Sequence, residues 1–172
     1  MHKSAGIRQA VLLVLTQKIS YNYPMQKYKV LNHTADIGCE IFGKTRKDLF
    51  ANSIAALFDL ILEHNHDRGK NFAPASKVTP EEKKIIIAGN DLEDLMINFL
   101  REILFFFNGK HWVTTGCHIV ELTGKRIIAQ LSGEPYNPRK HQIKMEIKAV
   151  TYHKLRIKRI DKGWKARVIF DV

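Results

Sequence analysis

The stretch NDLEDLMINFLREILFFF, residues 90–107, decides the fold because it carries an almost unbroken apolar stripe at helical spacing. Apolar residues recur at intervals of three and four, which is the period of a helix with one buried face. Asn90 with Glu93 is typical of a helix start, and Asn108 with Gly109 is typical of a helix end. A stripe rich in Met and Phe predicts a core helix rather than a cofactor site.

A second helix and several strands are predicted before this stretch. The segment TRKD from Thr45 has the form of a capping box and opens a helix predicted over residues 46–63. Residues 64–74 are a loop by composition. Period-two alternation or short apolar runs predict three strands, at residues 28–33, 37–42 and 83–89.

Everything after Trp112 is predicted to be sheet. Four strands are expected, at residues 112–122, 126–131, 141–160 and 164–172. Within the long third one, Lys144, Glu146 and Lys148 fall on one side and Ile143, Met145 and Ile147 on the other. Because successive strands joined by short turns pair antiparallel, the sequence predicts a single α+β domain with a mostly antiparallel sheet and two main helices packed on one face.

Length and composition fit one globular domain of 172 residues, 45% of them hydrophobic. We assign residues 27–172 to the domain and residues 1–26 to an N-terminal extension. That extension is either authentic, with an extra helix around residues 6–17, or the product of an upstream start codon chosen in error. Its apolar run at residues 10–15 is too short to span a bilayer. Cys39 and Cys117 lack metal or redox spacing, so a reducing, cytoplasmic compartment is expected.

The net charge of +11 predicts a surface that attracts anions, such as nucleic acid, acidic protein or anionic lipid. The excess is uneven, because eleven Lys or Arg face only two acids between Arg139 and Arg167. A solvated strand face is the alternative explanation of this basic segment. The common catalytic signatures are missing: no glycine-rich phosphate loop, GxSxG elbow, HExxH helix or paired CxxC occurs.

Histidines and acids are the candidate metal ligands in the sequence. His64 and His66 form a polar pair without a third ligand at a recognisable spacing, which is weak support for zinc. Asp171 immediately precedes the terminal carboxylate of Val172. If the fold brings Asp36 to that terminus, three carboxylates converge and a hard divalent cation relieves their repulsion. The alternative for Asp36 is a side chain that supports a turn.

Several stretches together resemble the archease family, from about Tyr28 to the last residue. They lie at residues 32–38, 43–60, 90–107, 133–155 and 163–172. The most specific are HTADIG, GEPY, KAVTYH and the terminal FDV, and it is their combination that identifies the chain as similar to this family.

The resemblance implies a non-catalytic accessory protein that activates RtcB-type tRNA-splicing ligases, which join RNA ends. In that family the accessory protein promotes guanylylation of the ligase and restores it between turnovers. The family's metal site corresponds here to Asp36, Asp171 and Val172, with calcium or magnesium as the cation.

The resemblance also extends to the basic strand. Lys148 and His153, within KAVTYH, match family positions and are expected to meet the ligase complex. Arg139 and His141, in the loop before them, are further candidates. Two other functions remain open at this point: a basic RNA-binding module, and a chaperone for RNA-modifying enzymes. Against the first, no aromatic RNP-type strand motif occurs.

Overall fold

A computed structural model describes residues 26–32, 36–63 and 81–172. Within these residues the chain forms two helices and seven strands. The helices are α1 (Arg46–Ile61) and α2 (Leu92–Lys110). The strands are β1 (Tyr28–Asn32), β2 (Asp36–Gly43), β3 (Glu81–Ala88), β4 (Trp112–Leu122), β5 (Arg126–Pro135), β6 (Ala149–Ile160) and β7 (Gly163–Asp171).

Helix α1 begins at the predicted capping box. The Thr45 side chain accepts a hydrogen bond from the Asp48 backbone N–H at 3.1 Å, and the Asp48 carboxylate accepts from the Thr45 N–H at 2.9 Å. These bonds satisfy two backbone donors that the first turn would leave unpaired. The helix ends at Ile61, two residues before the predicted end, because Leu62 is already extended.

Helix α2 begins one residue later than the sequence suggested. Asp91, rather than Asn90, is the N-cap, and its carboxylate accepts from the Asp94 N–H at 2.8 Å. The predicted end at Asn108 and Gly109 is also early. The helix continues to Lys110, since His111 takes the left-handed conformation, with φ of 50°, that usually falls to glycine.

The strands form two antiparallel sheets. One has the order β1-β2-β7-β6 and the other β3-β5-β4. Each helix contacts both sheets, which explains why α1 is buried on more than one side. The α+β class, the two helices and the antiparallel pairing are confirmed. The strands divide into two sheets because β5 pairs only with β3 and β4, and β7 only with β2 and β6.

The long strand predicted over residues 141–160 is wrong in its first part. Residues 141–148 form no strand, and β6 begins at Ala149. The backbone N–H groups of Lys144 and Met145 donate instead to the Ile61 carbonyl at the end of α1, at 2.8 and 3.3 Å. Of the three apolar residues predicted on one side, Ile147 is buried and Met145 packs against the core, whereas Ile143 is 52% exposed. Within β6 the pairing with β7 is interrupted again between Thr151 and Arg156.

The core lies where the helices meet the sheets. Phe50 of α1 and Phe99 of α2 are both fully buried, with ring centroids 5.7 Å apart. Cys39 and Cys117 are free thiols, and burial raises the pKa of each to about 12. Thiols held protonated in this way are poor nucleophiles and metal ligands.

Some predictions fall outside the described part of the chain. These are the helix around residues 6–17 and the histidine pair His64 and His66. The boundary between residues 26 and 27 stays a prediction. None of the helices within the described ranges is long and apolar enough to cross a membrane.

Candidate functional site

Strand β7 brings the end of the chain to the centre of the four-stranded sheet. It lies between β2 and β6, so its last residue has a partner on each side. Asp171 stands opposite Asp36 of β2 and opposite Ala149 of β6. Residues in register on adjacent strands point to the same face, with Cβ atoms about 5 Å apart. The register therefore places Asp36 and Asp171 side by side on one face of the sheet.

The terminal residue completes this group. The Lys148 ammonium donates a hydrogen bond to the main-chain oxygen of Val172 at 3.1 Å. The Lys148 backbone N–H donates to the Asp171 carbonyl at 2.9 Å. Lys148 thus contacts the main chain of the last two residues, Asp171 and Val172.

The donor set suits a hard cation. Two like charges directly opposite each other destabilise a sheet by up to about 1 kcal/mol, so Asp36 and Asp171 gain from a shared cation. Carboxylate oxygens are the ligands that Ca²⁺ and Mg²⁺ prefer. Across the described ranges, no three His, Cys, Asp or Glu side chains cluster as metal ligands. A third oxygen donor from Val172 stays a prediction, and oxygen donors of this kind fit Ca²⁺ and Mg²⁺ better than zinc.

His141 lies elsewhere and has a local role. It is buried, with its Nδ1 accepting from the Asn137 N–H at 3.0 Å and its Nε2 lying 3.3 Å from Glu134 Oε1. Lys140 also bonds to this carboxylate. The contacts of His141 and Glu134 therefore stabilise the loop that follows β5.

This loop gives a pH-dependent prediction. Burial alone would raise the pKa of Glu134, but the hydrogen bond and charge of Lys140, with His141 nearby, outweigh it and hold this pKa below its usual value. A lowered folded-state pKa stabilises the protein above the unfolded value, about 4.3, and this contribution is lost as the pH falls through the folded value. Glu134→Gln should therefore cost about 1 kcal/mol near neutral pH.

Urea unfolding at neutral and acidic pH tests this expectation. The difference between Glu134→Gln and wild type should vanish in acid. Glu121→Gln is the matched control, because its ion pair with Arg126 lies on the surface and contributes little. A Glu134→Gln cost that persists unchanged at low pH would contradict the assignment.

Arg139 and His153 are both exposed. The Arg139 backbone N–H donates to the Asn137 side-chain oxygen at 2.9 Å. The Arg139 guanidinium takes no part in this hydrogen bond. His153 lies in the stretch where β6 leaves its partner strand, just before Lys154 with its positive φ of 53°. Of the four predicted partner-binding residues, Lys148 is the one that contacts Val172 among the described residues.

Sequence reasoning missed how this stretch is anchored. The Tyr152 hydroxyl donates to the Asp94 carboxylate, and the Arg101 guanidinium lies 5.2 Å from the Tyr152 ring centroid. The hydrogen bond from Tyr152 is the main reason that the pKa of Asp94 is lowered. Glu93 accepts from the Ile157 backbone N–H at 3.1 Å. In the sequence, Glu93 and Asp94 indicate the start of a helix, and nothing local shows that they also bind β6.

Comparison with known proteins extends the resemblance. Residues 28–172 match the model of the Archease protein family (MTH1598/TM1083). Protein archease of Methanosarcina mazei is 32% identical over 151 residues, covering 86% of this chain and 97% of that protein. Protein archease of Pyrococcus abyssi is 32% identical over 152 residues, covering 86% and 100%.

Solved structures agree on the fold. The solution structure of Methanobacterium thermoautotrophicum protein 1598 matches with a TM-score of 0.66 and 26% identity, over 86% of this chain and all of that one. The crystal structure of an archease from Thermotoga maritima, described as a possible chaperone, matches with a TM-score of 0.54 at 24% identity, over 87% and 99%. With a family model that spans nearly all the described residues, this chain belongs to the archease family.

Proposed function

We propose that this protein is a non-catalytic, metal-binding activator of an RtcB-type RNA ligase, working in the cytoplasm in tRNA splicing and RNA repair. The observation that carries the proposal is the register that sets Asp36 opposite Asp171 at the chain terminus. Two aspartates in register at an exposed strand end repel each other, and a shared cation would relieve that repulsion.

The residues of this site have separate roles. Asp36, Asp171 and the Val172 carboxylate would hold calcium or magnesium through oxygen atoms. Asp171 is exposed, so the site faces outward and is accessible to a partner. A bound divalent ion supplies charge neutralisation and Lewis acidity at phosphate groups. The chemistry of RNA joining belongs to the ligase.

Lys148 has a positioning role in this proposal. Its ammonium bonds to the terminal carboxylate, and its backbone N–H bonds to Asp171. Together these contacts restrain a chain end that would otherwise fray. The same positive charge balances the terminal carboxylate when no cation is bound.

Guanylylation of the partner ligase tests the proposal. The protein is incubated with the RtcB-type ligase of its own organism, GTP and divalent metal, and covalent GMP on the ligase is followed over time. Asp171→Asn should return the rate to that of the ligase alone, because the side chain keeps its shape and loses its charge. Asp161→Asn, in the turn at the far end of the same sheet, is the matched control and should activate fully.

Thermal melting of the same variants separates presentation of the ion from structural support. Lost activation with an unchanged melting temperature supports presentation to the ligase. Equal loss of activation and stability would mean that the ion only pins β2 to β7. Full activation by Asp171→Asn would contradict the proposed function.

A chaperone for RNA-modifying enzymes is the second candidate, because the Thermotoga maritima relative is described as a possible chaperone. The two functions differ in their clients. An activator stimulates one ligase, whereas a chaperone also suppresses aggregation of unrelated enzymes. A light-scattering assay with an unrelated RNA methyltransferase distinguishes them.

A further inference from the structure

The outer face of the four-stranded sheet carries a second charged region, away from the carboxylates. Along β2 and β7, the residues of this face alternate with the residues that point into the core. One row crosses all four strands, as Lys29, Glu40, Arg167 and Arg156 stand opposite one another in turn. The neighbouring row places Lys165 opposite Lys158. We call these residues the basic rows.

Like charges face each other in both rows. Arg156 is opposite Arg167, and Lys158 is opposite Lys165, which are pairings that destabilise a sheet. Glu40 is the one acid in the rows, with its Oε1 2.8 Å from the Lys165 ammonium. That hydrogen bond, with the charges of Lys165, Arg167 and Lys29, holds the pKa of Glu40 below its usual value. A single carboxylate cannot neutralise five cations, so the rows keep a strong positive potential.

One guanidinium in the rows lacks an acceptor. Arg167 Nε is buried, and within the described part of the chain it has no hydrogen-bond partner. Because this Nε is buried, it cannot itself meet a ligand from outside. The exposed cations of the rows, Lys29, Arg156 and Lys158, are the ones that an external anion can reach. Phosphate and carboxylate oxygens are the acceptors that guanidinium groups prefer.

We propose that the basic rows bind the phosphodiester backbone of single-stranded RNA. The Cβ atoms of these basic residues are about 5 Å apart across adjacent strands and about 7 Å apart along a strand. This repeat is similar to that of successive phosphates in a nucleic-acid strand. A flat, regular array of like charges suits a repeating anion better than the irregular surface of an acidic protein.

The binding would be independent of base sequence. Phosphate contacts position a nucleic acid without reading its bases. Phe42 stands opposite Lys165 in the second row, and its ring could stack on any base without selecting one. Only the choice of RNA over DNA rests on the proposed function. The basic rows and the carboxylate group consist of different residues, so the two proposals can fail separately.

The test is fluorescence anisotropy with a short, labelled single-stranded RNA of mixed sequence, in EDTA and without ligase. The double variant Arg156→Glu, Lys158→Glu places a carboxylate opposite Arg167 and another opposite Lys165, so stability should be kept. We expect its affinity to fall about tenfold or more at low salt. The slope of log affinity against log salt should become shallower by about 1.4, as for two lost phosphate contacts.

The matched control is Lys84→Glu, Lys125→Glu, which makes the same charge change on the other sheet. Both lysines are exposed, on β3 and in the turn between β4 and β5. Affinity within about twofold of wild type is expected for this control. Absence of RNA binding by the wild type, equal weakening by both double variants, or binding of polyglutamate in preference to RNA would overturn the proposal.

Discussion

Replacing Phe99 by alanine is expected to lower the free energy of unfolding by about 3–5 kcal/mol. The Phe99 side chain is fully buried, and its ring packs against that of Phe50 across the two helices. Because each helix contacts both sheets, a cavity between the helices weakens the packing that joins the two sheets. The melting temperature should fall by about 10 °C or more.

Phe105→Ala is the control, since it removes the same atoms from the same helix. Phe105 is 50% exposed, so its loss should cost less than about 1 kcal/mol. Urea unfolding of the two variants gives the comparison. Equal destabilisation would mean that α2 does not turn its Phe99 face to the core.

Gly163→Ala is expected to destabilise the protein by about 3 kcal/mol, the second large effect. Gly163 has φ of +133°, where a side chain is strained, and an added Cβ would lie 2.2 Å from the Gly43 carbonyl oxygen. To relieve this clash, β2 has to move away from β7. Those are the strands whose far ends hold Asp36 and Asp171, so the candidate site should be weakened as well.

Gly124→Ala is the matched control for this glycine. A Cβ at Gly124 meets nothing within 4 Å, so the change should stay within about 0.5 kcal/mol. Thermal melting followed by circular dichroism measures both variants. A Gly163→Ala protein as stable as wild type would contradict the close approach of β2 and β7.

The local signals in the sequence predicted much of the fold. The apolar stripe of α2 and the capping box at Thr45 act within a few residues, so the sequence alone reveals them. The exact ends of the helices were harder to predict from the sequence. Asp91 instead of Asn90 became the N-cap, and His111 took a left-handed conformation, because neighbouring acids and loop packing decide between adjacent candidates.

Longer-range features could not be predicted from local patterns. Alternation at residues 141–148 is typical of a strand, but these residues bond to the end of α1, which is distant in sequence. The division into two sheets likewise depends on which strands pair. His141 was predicted to be functional from its place in a basic loop, whereas its burial against Glu134 depends on packing.

The candidate metal centre, too, could be predicted only in part from the sequence. Asp171 beside the terminal carboxylate is visible in the sequence, and family resemblance pointed to Asp36. That they stand opposite each other follows from the register of β2 against β7, which is fixed by the buried residues of both strands. The basic rows were expected as a segment, but their cross-strand like-charge pairs appear only with the register.

Calorimetric titration of calcium and of magnesium into the full chain tests most directly whether Asp36, Asp171 and the Val172 carboxylate share a cation. Wild type and Asp161→Asn should bind one ion each with equal affinity. Asp171→Asn should bind it about tenfold more weakly or not at all, because it loses one charged oxygen ligand. Binding of equal strength by all three proteins, or none by the wild type with either ion, would contradict the account.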